Sequence, residues 1–104
     1  MKITKDDILE HLKNIKQELQ HDGIVALALF GSFAKNTQNV YSDIDIAISK
    51  DKDFLRDKDA YFYFELVNKL KNTLRKKFHR NVDIFDLDSN SELKNSITKE
   101  LCYV

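Results

Sequence analysis

Residues 24–48 read IVALALFGSFAKNTQNVYSDIDIAI, and this stretch decides the fold. It opens with the apolar run Ile24–Phe30, which has the length of a strand and is apolar on both faces, as a strand covered by helices would be. Gly31 and Ser32 follow at once, and a short helical turn and a polar loop come next. The alternation in Asp43–Ile48 predicts a second strand, with isoleucines on one face and aspartates on the other.

The flanking segments are predicted to be helices and one further strand. Apolar residues at helical spacing predict a helix over about residues 5–21 and a long one over about residues 54–78. Val82–Leu87 predicts a third strand, and a final helix follows it. The predicted order is α-β-α-β-α-β-α, an α/β (α+β) fold in which helices flank a small three-stranded mixed sheet. We expect residues 1–104 to form a single domain.

Composition narrows the class of protein. The 17 Lys and Arg balance the 17 Asp and Glu, which argues against nucleic-acid binding through bulk positive charge. Cys102 is the only cysteine, so neither a disulfide scaffold nor a thiolate zinc site is expected, and a reducing cytoplasm fits. Charged residues interrupt the apolar positions of residues 1–20, so we expect neither a signal peptide nor a membrane span.

Chemistry-bearing residues lie at the predicted strand ends. Asp43 and Asp45 share one face about 7 Å apart, and Asp83 lies near the start of the third strand. Neighbouring carboxylates repel each other, and Mg²⁺ relieves this because it prefers oxygen ligands. Gly31 permits close backbone approach, Ser32 adds a hydroxyl, and the following helical turn directs N–H groups at an anion.

These residues meet only if the first strand runs antiparallel to the second and third, which run parallel through the long helix. Simpler interpretations remain open for the acids. Asp43 and Asp45 could lie on the solvated face of an edge strand, and Asp83 could be a surface carboxylate at a strand end.

The pattern of Gly31-Ser32, ten residues, and then Asp43-Ile44-Asp45 resembles the signature of the polymerase-beta-like nucleotidyltransferase superfamily. It is most similar to the minimal nucleotidyltransferase (MNT) branch, which is found beside HEPN-domain proteins. The resemblance covers roughly residues 20–102. It implies transfer of AMP from ATP to an acceptor hydroxyl, such as that of a tyrosine, with release of pyrophosphate.

The resemblance also implies roles for individual residues. Asp43, Asp45 and Asp83 would be the catalytic residues and would bind two Mg²⁺ ions. Gly31 and Ser32 would bind the triphosphate of ATP. Many relatives carry Ala-Arg-Gly after the Gly-Ser pair, whereas this chain has Ala-Lys-Asn, so Lys35 would supply the positive charge without the fork of an arginine.

The resemblance implies a HEPN-domain toxin as partner, with this chain as its antitoxin. In the leading interpretation the chain silences the toxin by adding AMP to it. Two alternatives remain open, which are neutralisation by binding alone and transfer of a nucleotide to a small molecule.

Two further segments allow two interpretations each. Residues 69–80 hold six Lys or Arg and no acid, which is typical of a solvated helix face but would also suit phosphate binding, and Arg80 is the member nearest the predicted site. Residues 61–64 read YFYF and span about 300° around a helix, so at least one of these aromatic side chains is expected to be exposed. Such a side chain could mark an interface or could cover the edge of the core.

Overall fold

The computed structural model describes residues 2–89 and 92–104, in which helices pack around a four-stranded sheet of order β3-β2-β1-β4. The helices and strands, in chain order, are α1 (Lys5–His21), β1 (Ile24–Phe30), α2 (Gly31–Ala34), β2 (Ile44–Lys50), α3 (Phe54–Asp57), α4 (Ala60–Phe78), β3 (Val82–Asp86), α5 (Glu92–Ile97), a 3₁₀ turn (Thr98–Glu100) and β4 (Cys102–Tyr103). The mixed α/β class is therefore confirmed.

The strand directions are those predicted from the sequence for bringing Gly31 and the aspartates together. β1 runs antiparallel to β2, with Phe30 opposite Asp45, and β2 runs parallel to β3, with Asp45 opposite Asp83. The end of β1 therefore lies beside the beginnings of β2 and β3. This edge of the sheet brings together segments that are far apart in the chain.

The two faces of the sheet are covered unequally. The isoleucines of β2 are almost completely buried, and they belong to the main core together with side chains of α1 and α4, such as Leu12 and Leu74. The opposite face carries a smaller cluster of buried side chains, which are Ala28, Ala47, Leu87 and Ile97. Asp45 of β2 and Asp83 of β3 lie on this second face, beyond the end of the smaller cluster, since side chains alternate along a strand.

Three strands were predicted, and this number is wrong. Cys102 and Tyr103 form β4, which pairs antiparallel with Leu29 and Ala28 of β1. The final helix, α5, ends at Ile97, and the 3₁₀ turn Thr98–Glu100 leads from it into β4. A two-residue strand is too short to show a period of two, so no pattern indicates it.

The predicted helix over residues 54–78 is in fact two helices. α3 ends at Asp57, and Asp59 begins α4 as an N-cap whose carboxylate accepts a hydrogen bond from the backbone N–H of Phe62 at 2.8 Å. The break carries neither glycine nor proline, and the apolar spacing continues across it.

Aromatic side chains at the start of α4 reach solvent, as predicted. Tyr61 and Phe64 are 72% and 65% exposed, whereas Tyr63 is half-buried and its hydroxyl donates a hydrogen bond to Asp86 at 2.9 Å. No helix in the described ranges is long and apolar enough to cross a membrane.

Candidate active site

The turn after β1 is built around Gly31, which opens α2 with a φ of +76°. This left-handed backbone favours glycine. A Cβ atom at this position would overlap Oδ2 of Asp45 and would lie 3.1 Å from its Cγ. The carboxylate of Asp45 is thus packed directly against the glycine, and both the backbone conformation and the space require the missing side chain.

Asp43, Asp45 and Asp83 lie where β2 and β3 begin, and we call these three residues the acidic edge. Asp45 is at its centre. It is half-buried, with Phe30 on one side and Asp83 on the other in the strand register. Burial first, and then the negative charges of Asp83 and Asp43, together raise the pKa of Asp45 to about 6. The site therefore concentrates negative charge that the fold itself does not neutralise.

Asp83 and Asp43 are both exposed, and they flank Asp45 in different ways. Asp83 belongs to β3 and shares the face of Asp45, because residues paired in a parallel ladder point the same way. Asp43 precedes β2 directly. The interpretation of Asp43 and Asp45 as the solvated face of an edge strand does not hold, because β2 is an inner strand with neighbours on both sides.

The side chains that could bind a metal ion are spread along the end of the sheet. Within residues 2–89 and 92–104, no three His, Cys, Asp or Glu side chains converge on one position that would suit a metal ion. The acidic edge is therefore an open arrangement and not a closed cage. Such an arrangement suits Mg²⁺, which takes one or two carboxylates and completes its coordination with water and substrate phosphates.

Ser32 lies on the first turn of α2, half-buried. Its backbone carbonyl accepts a hydrogen bond from the N–H of Thr37 at 2.9 Å, which folds the following loop back onto the turn. Its hydroxyl forms no hydrogen bond with the described part of the chain, so it can meet a ligand. The turn thus offers a hydroxyl next to a glycine.

Lys35 caps the C-terminal end of α2, and its ammonium group forms an ion pair that the sequence does not predict. Its Nζ lies 3.5 Å from Oε1 of Glu100, and the lysine side chain is 53% exposed. Asn36 follows with a φ of +58°, in the left-handed region where glycine is favoured and asparagine is tolerated. The turn therefore holds an asparagine in a conformation that glycine adopts more easily.

Arg80 binds the loop before β2, and its position near Asp83 in the sequence predicts this role only in part. Its Nη1 donates hydrogen bonds to the backbone carbonyls of Asn39, at 3.1 Å, and Ser42, at 3.0 Å. The guanidinium also lies over the ring of buried Phe33, with 5.8 Å between Cζ and the ring centroid. Arg80 thereby fastens the loop that leads into Asp43.

The other side of Asp43 is fastened as well. The N–H of Ile44 donates to the carbonyl of Asn81 at 2.9 Å, so the residues on both sides of Asp43 are hydrogen-bonded to the segment that follows α4. Inside the loop, Asn39 forms a turn through its side chain, which accepts from the N–H of Tyr41 at 2.8 Å. In the sequence, the short distance from Arg80 to Asp83 is the one indication that Arg80 belongs to the site.

Comparisons with known proteins agree with this geometry. The family model for polymerase beta nucleotidyltransferases matches residues 13–103. A relative from Methanocaldococcus jannaschii, provisionally named a protein adenylyltransferase, is 33% identical over 100 residues, which cover 96% of this chain and 93% of that protein. A second relative from the same organism, with the same provisional name, is 35% identical over 104 residues, which cover 97% and 98% of the two chains.

Solved structures show the same fold. A mutant of the toxin–antitoxin pair MntA–HpeT matches 97% of this chain and 71% of its own, with a TM-score of 0.54 and 23% identity. A toxin–antitoxin structure with AMP-PNP matches 88% of this chain and 63% of its own, with a TM-score of 0.50 and 29% identity. This chain belongs to the polymerase beta nucleotidyltransferase family and is a nucleotidyltransferase.

Proposed function

We propose that this chain is a Mg²⁺-dependent protein adenylyltransferase, which transfers AMP from ATP to a tyrosine hydroxyl of a HEPN-domain toxin and thereby acts as its antitoxin. The observation that carries the proposal is the packing of Asp45 against Gly31, with Asp83 in register beside it. The names of the relatives and of the structural neighbours support a protein as acceptor and a toxin as partner. The neighbour solved with AMP-PNP, an analogue of ATP, supports the nucleotide.

Three carboxylates are the proposed ligands of the metal. Asp43, Asp45 and Asp83 would hold Mg²⁺, with two ions as in the family, and their uncompensated charge favours a hard cation. Bound Mg²⁺ supplies charge neutralisation for the phosphates and for the oxygen that attacks them. Asp83 is exposed, so an acceptor hydroxyl can reach its carboxylate and donate its proton there.

The turn after β1 is the proposed site of the triphosphate. Gly31 presents backbone without a side chain, and the hydroxyl of Ser32 donates to a phosphate oxygen. Lys35 is proposed to contribute its charge as well. It must leave Glu100 to do so, and this costs little because an exposed ion pair is worth about 0–1 kcal/mol.

We further propose that residues 1–104 work as one minimal nucleotidyltransferase domain in the cytoplasm. The acidic edge is open to solvent on the side of Asp43 and Asp83, where an acceptor protein would approach. The family model covers residues 13–103, which supports this assignment.

A second candidate function is neutralisation of the toxin by binding alone. The exposed aromatic side chains Tyr61 and Phe64 favour it, because exposed apolar groups close together often mark a protein interface. In this case the acidic edge would not be needed for neutralisation.

The test is an intact-mass measurement of the candidate HEPN toxin after incubation with this protein, ATP and Mg²⁺. We expect a mass gain of one or more AMP units with the wild-type protein and none with Asp45→Asn. Asp6→Asn is the matched control, since Asp6 is an exposed carboxylate on α1, outside the site. Labelling by Asp45→Asn would refute the catalytic proposal. A toxin that stays neutralised and unmodified by Asp45→Asn would establish binding alone.

A further inference from the structure

A cavity of about 500 Å³ adjoins the acidic edge, between the loop before β2 and the end of α4. We call it the cationic pocket. Its lining consists of Val40, Tyr41, Ser42, Asp43, Arg75, His79, Arg80 and Asn81. Asp43 belongs both to this pocket and to the proposed catalytic site, so a molecule bound in the pocket lies next to the reacting groups.

Positive charge dominates the cationic pocket. Arg75 and Arg80 carry permanent charges and His79 lies beside them, whereas Asp43 is the one carboxylate that the described residues place in the lining. None of these three basic residues forms an ion pair with a carboxylate of the described residues. The pocket therefore presents guanidinium donors that the fold leaves available to a ligand.

Part of the cationic pocket is held rigid. Arg80 uses one nitrogen, Nη1, for both of its bonds to loop carbonyls, and its other N–H groups remain for a ligand. Arg75 is exposed on the last turn of α4, and His79 ends that helix in the left-handed conformation. Donors fixed in advance bind an anion with less loss of side-chain entropy than mobile ones.

The rim of the pocket adds apolar surface. Val40 and Tyr41 are 75% and 89% exposed, although the loop that carries them is ordered by hydrogen bonds. Guanidinium groups beside an exposed tyrosine and valine match a polypeptide that places an acidic side chain near apolar ones.

We propose that the cationic pocket binds an acidic side chain of the acceptor protein, close in the acceptor to the hydroxyl that receives AMP. This inference rests on the proposed function, because it names a feature of the acceptor for the same site. The triphosphate already has a place at Gly31 and Ser32, so the pocket is available to the acceptor. A single pocket on a chain of zero net charge does not follow a nucleic-acid backbone, which argues for a protein ligand over RNA.

The experiment is a titration of the ¹⁵N-labelled protein, followed by two-dimensional NMR without ATP. The probes are two synthetic peptides of equal length with a central tyrosine, flanked by glutamates in one and by glutamines in the other. We expect the glutamate peptide to shift the amide signals of Val40–Asp43 and Arg75–Asn81, and to bind roughly fivefold more tightly than the glutamine peptide. The difference should shrink as salt is added, because these charges are partly screened.

Variants assign the effect to the pocket. Arg75→Gln should remove the preference for glutamate, and Lys76→Gln should keep it, since Lys76 is the next residue on α4 and does not line the pocket. Equal binding of the two peptides, shifts outside the pocket, or no saturation up to about 5 mM would overturn the inference. Tighter binding of a short single-stranded RNA at the same signals would also overturn it.

The titration contains no nucleotide, so its outcome is independent of the AMP-transfer assay. Peptide binding that depends on Arg75, combined with absence of AMP transfer, would refute the proposed function and leave the anion-binding pocket standing. AMP transfer to a protein, combined with equal binding of the two peptides, would support the proposed function and refute the role of the cationic pocket.

Discussion

Replacing Gly31 by alanine tests the packing on which the candidate site depends. The new Cβ would meet Oδ2 of Asp45 at a backbone φ of +76°. The left-handed backbone costs an alanine about 1–2 kcal/mol, and moving the carboxylate of Asp45 off its rotamer costs about 1 kcal/mol. We therefore expect Gly31→Ala to lower the free energy of unfolding by about 2–3 kcal/mol.

The expected loss of activity is larger than the loss of stability implies. A displacement of about 1 Å at a positioned group costs about a hundredfold in rate. The Cβ of alanine would force the Asp45 carboxylate to move by about this distance. The free energy of unfolding is measured by urea unfolding, and activity by single-turnover AMP transfer without urea. The transfer rate of each variant is then divided by the fraction of its molecules that is folded without urea.

Gly23→Ala provides the matched control. Gly23 has a φ of +105°, and a Cβ there would lie 2.6 Å from Cδ2 of Phe54, so the substitution introduces the same kinds of strain. It lies at the opposite end of β1, about 20 Å from the site. We expect a similar loss of stability with AMP transfer per folded molecule unchanged. Equal transfer rates for Gly31→Ala and Gly23→Ala would refute the role assigned to Gly31.

The remaining predictions concern single side chains. Arg80→Lys keeps the charge but loses the planar fork, so we expect kcat/KM for Mg²⁺-ATP to fall about tenfold with little change in Tm, and an unchanged kcat/KM would contradict the positioning of Asp43. The pKa of Asp45 is about 6 in the folded protein, above its unfolded value of about 3.9, so this carboxylate lowers stability progressively as the pH rises from about 4 to 6. Asp45→Asn should therefore raise the free energy of unfolding at pH 7 by about 1 kcal/mol after allowance for solvent screening, measured by urea unfolding in EDTA, and a less stable variant would refute this sign. Burial acts to raise the pKa of Asp88, but hydrogen bonds from Lys50 and Ser49 outweigh it and lower that pKa, so the stabilisation is present above about pH 4 and is lost as the pH falls through the folded value. Asp88→Asn should be less stable than wild type at pH 7 and should show a flatter decline in acid, which unfolding curves between pH 2 and about 7 would measure.

The sequence predicts those parts of the fold that have a local pattern. Ile24–Phe30 is a long apolar run and Asp43–Ile48 alternates, so both strands and their order follow from the residues. The acids and the glycine are predicted to meet because only one arrangement of strand directions places them at the same edge, and the observed register has this arrangement.

Other features depend on contacts between distant residues, which no periodic pattern reveals. The ion pair of Lys35 with Glu100 and the bonds from Arg80 to loop carbonyls join segments that are far apart in the sequence. β4 forms because two residues reach an open edge of β1. In each case the partner, and not the local sequence, decides the conformation.

The parallel pairing of Asp45 with Asp83 also has a consequence for folding kinetics. These residues are about forty positions apart in the chain, and they become neighbours only after α4 has docked and β3 has joined β2. Non-local parallel pairing of this kind is slow compared with helix formation. A chain with its helices formed but β3 unpaired has no complete acidic edge, so the appearance of AMP transfer during refolding would report the last long-range step of assembly.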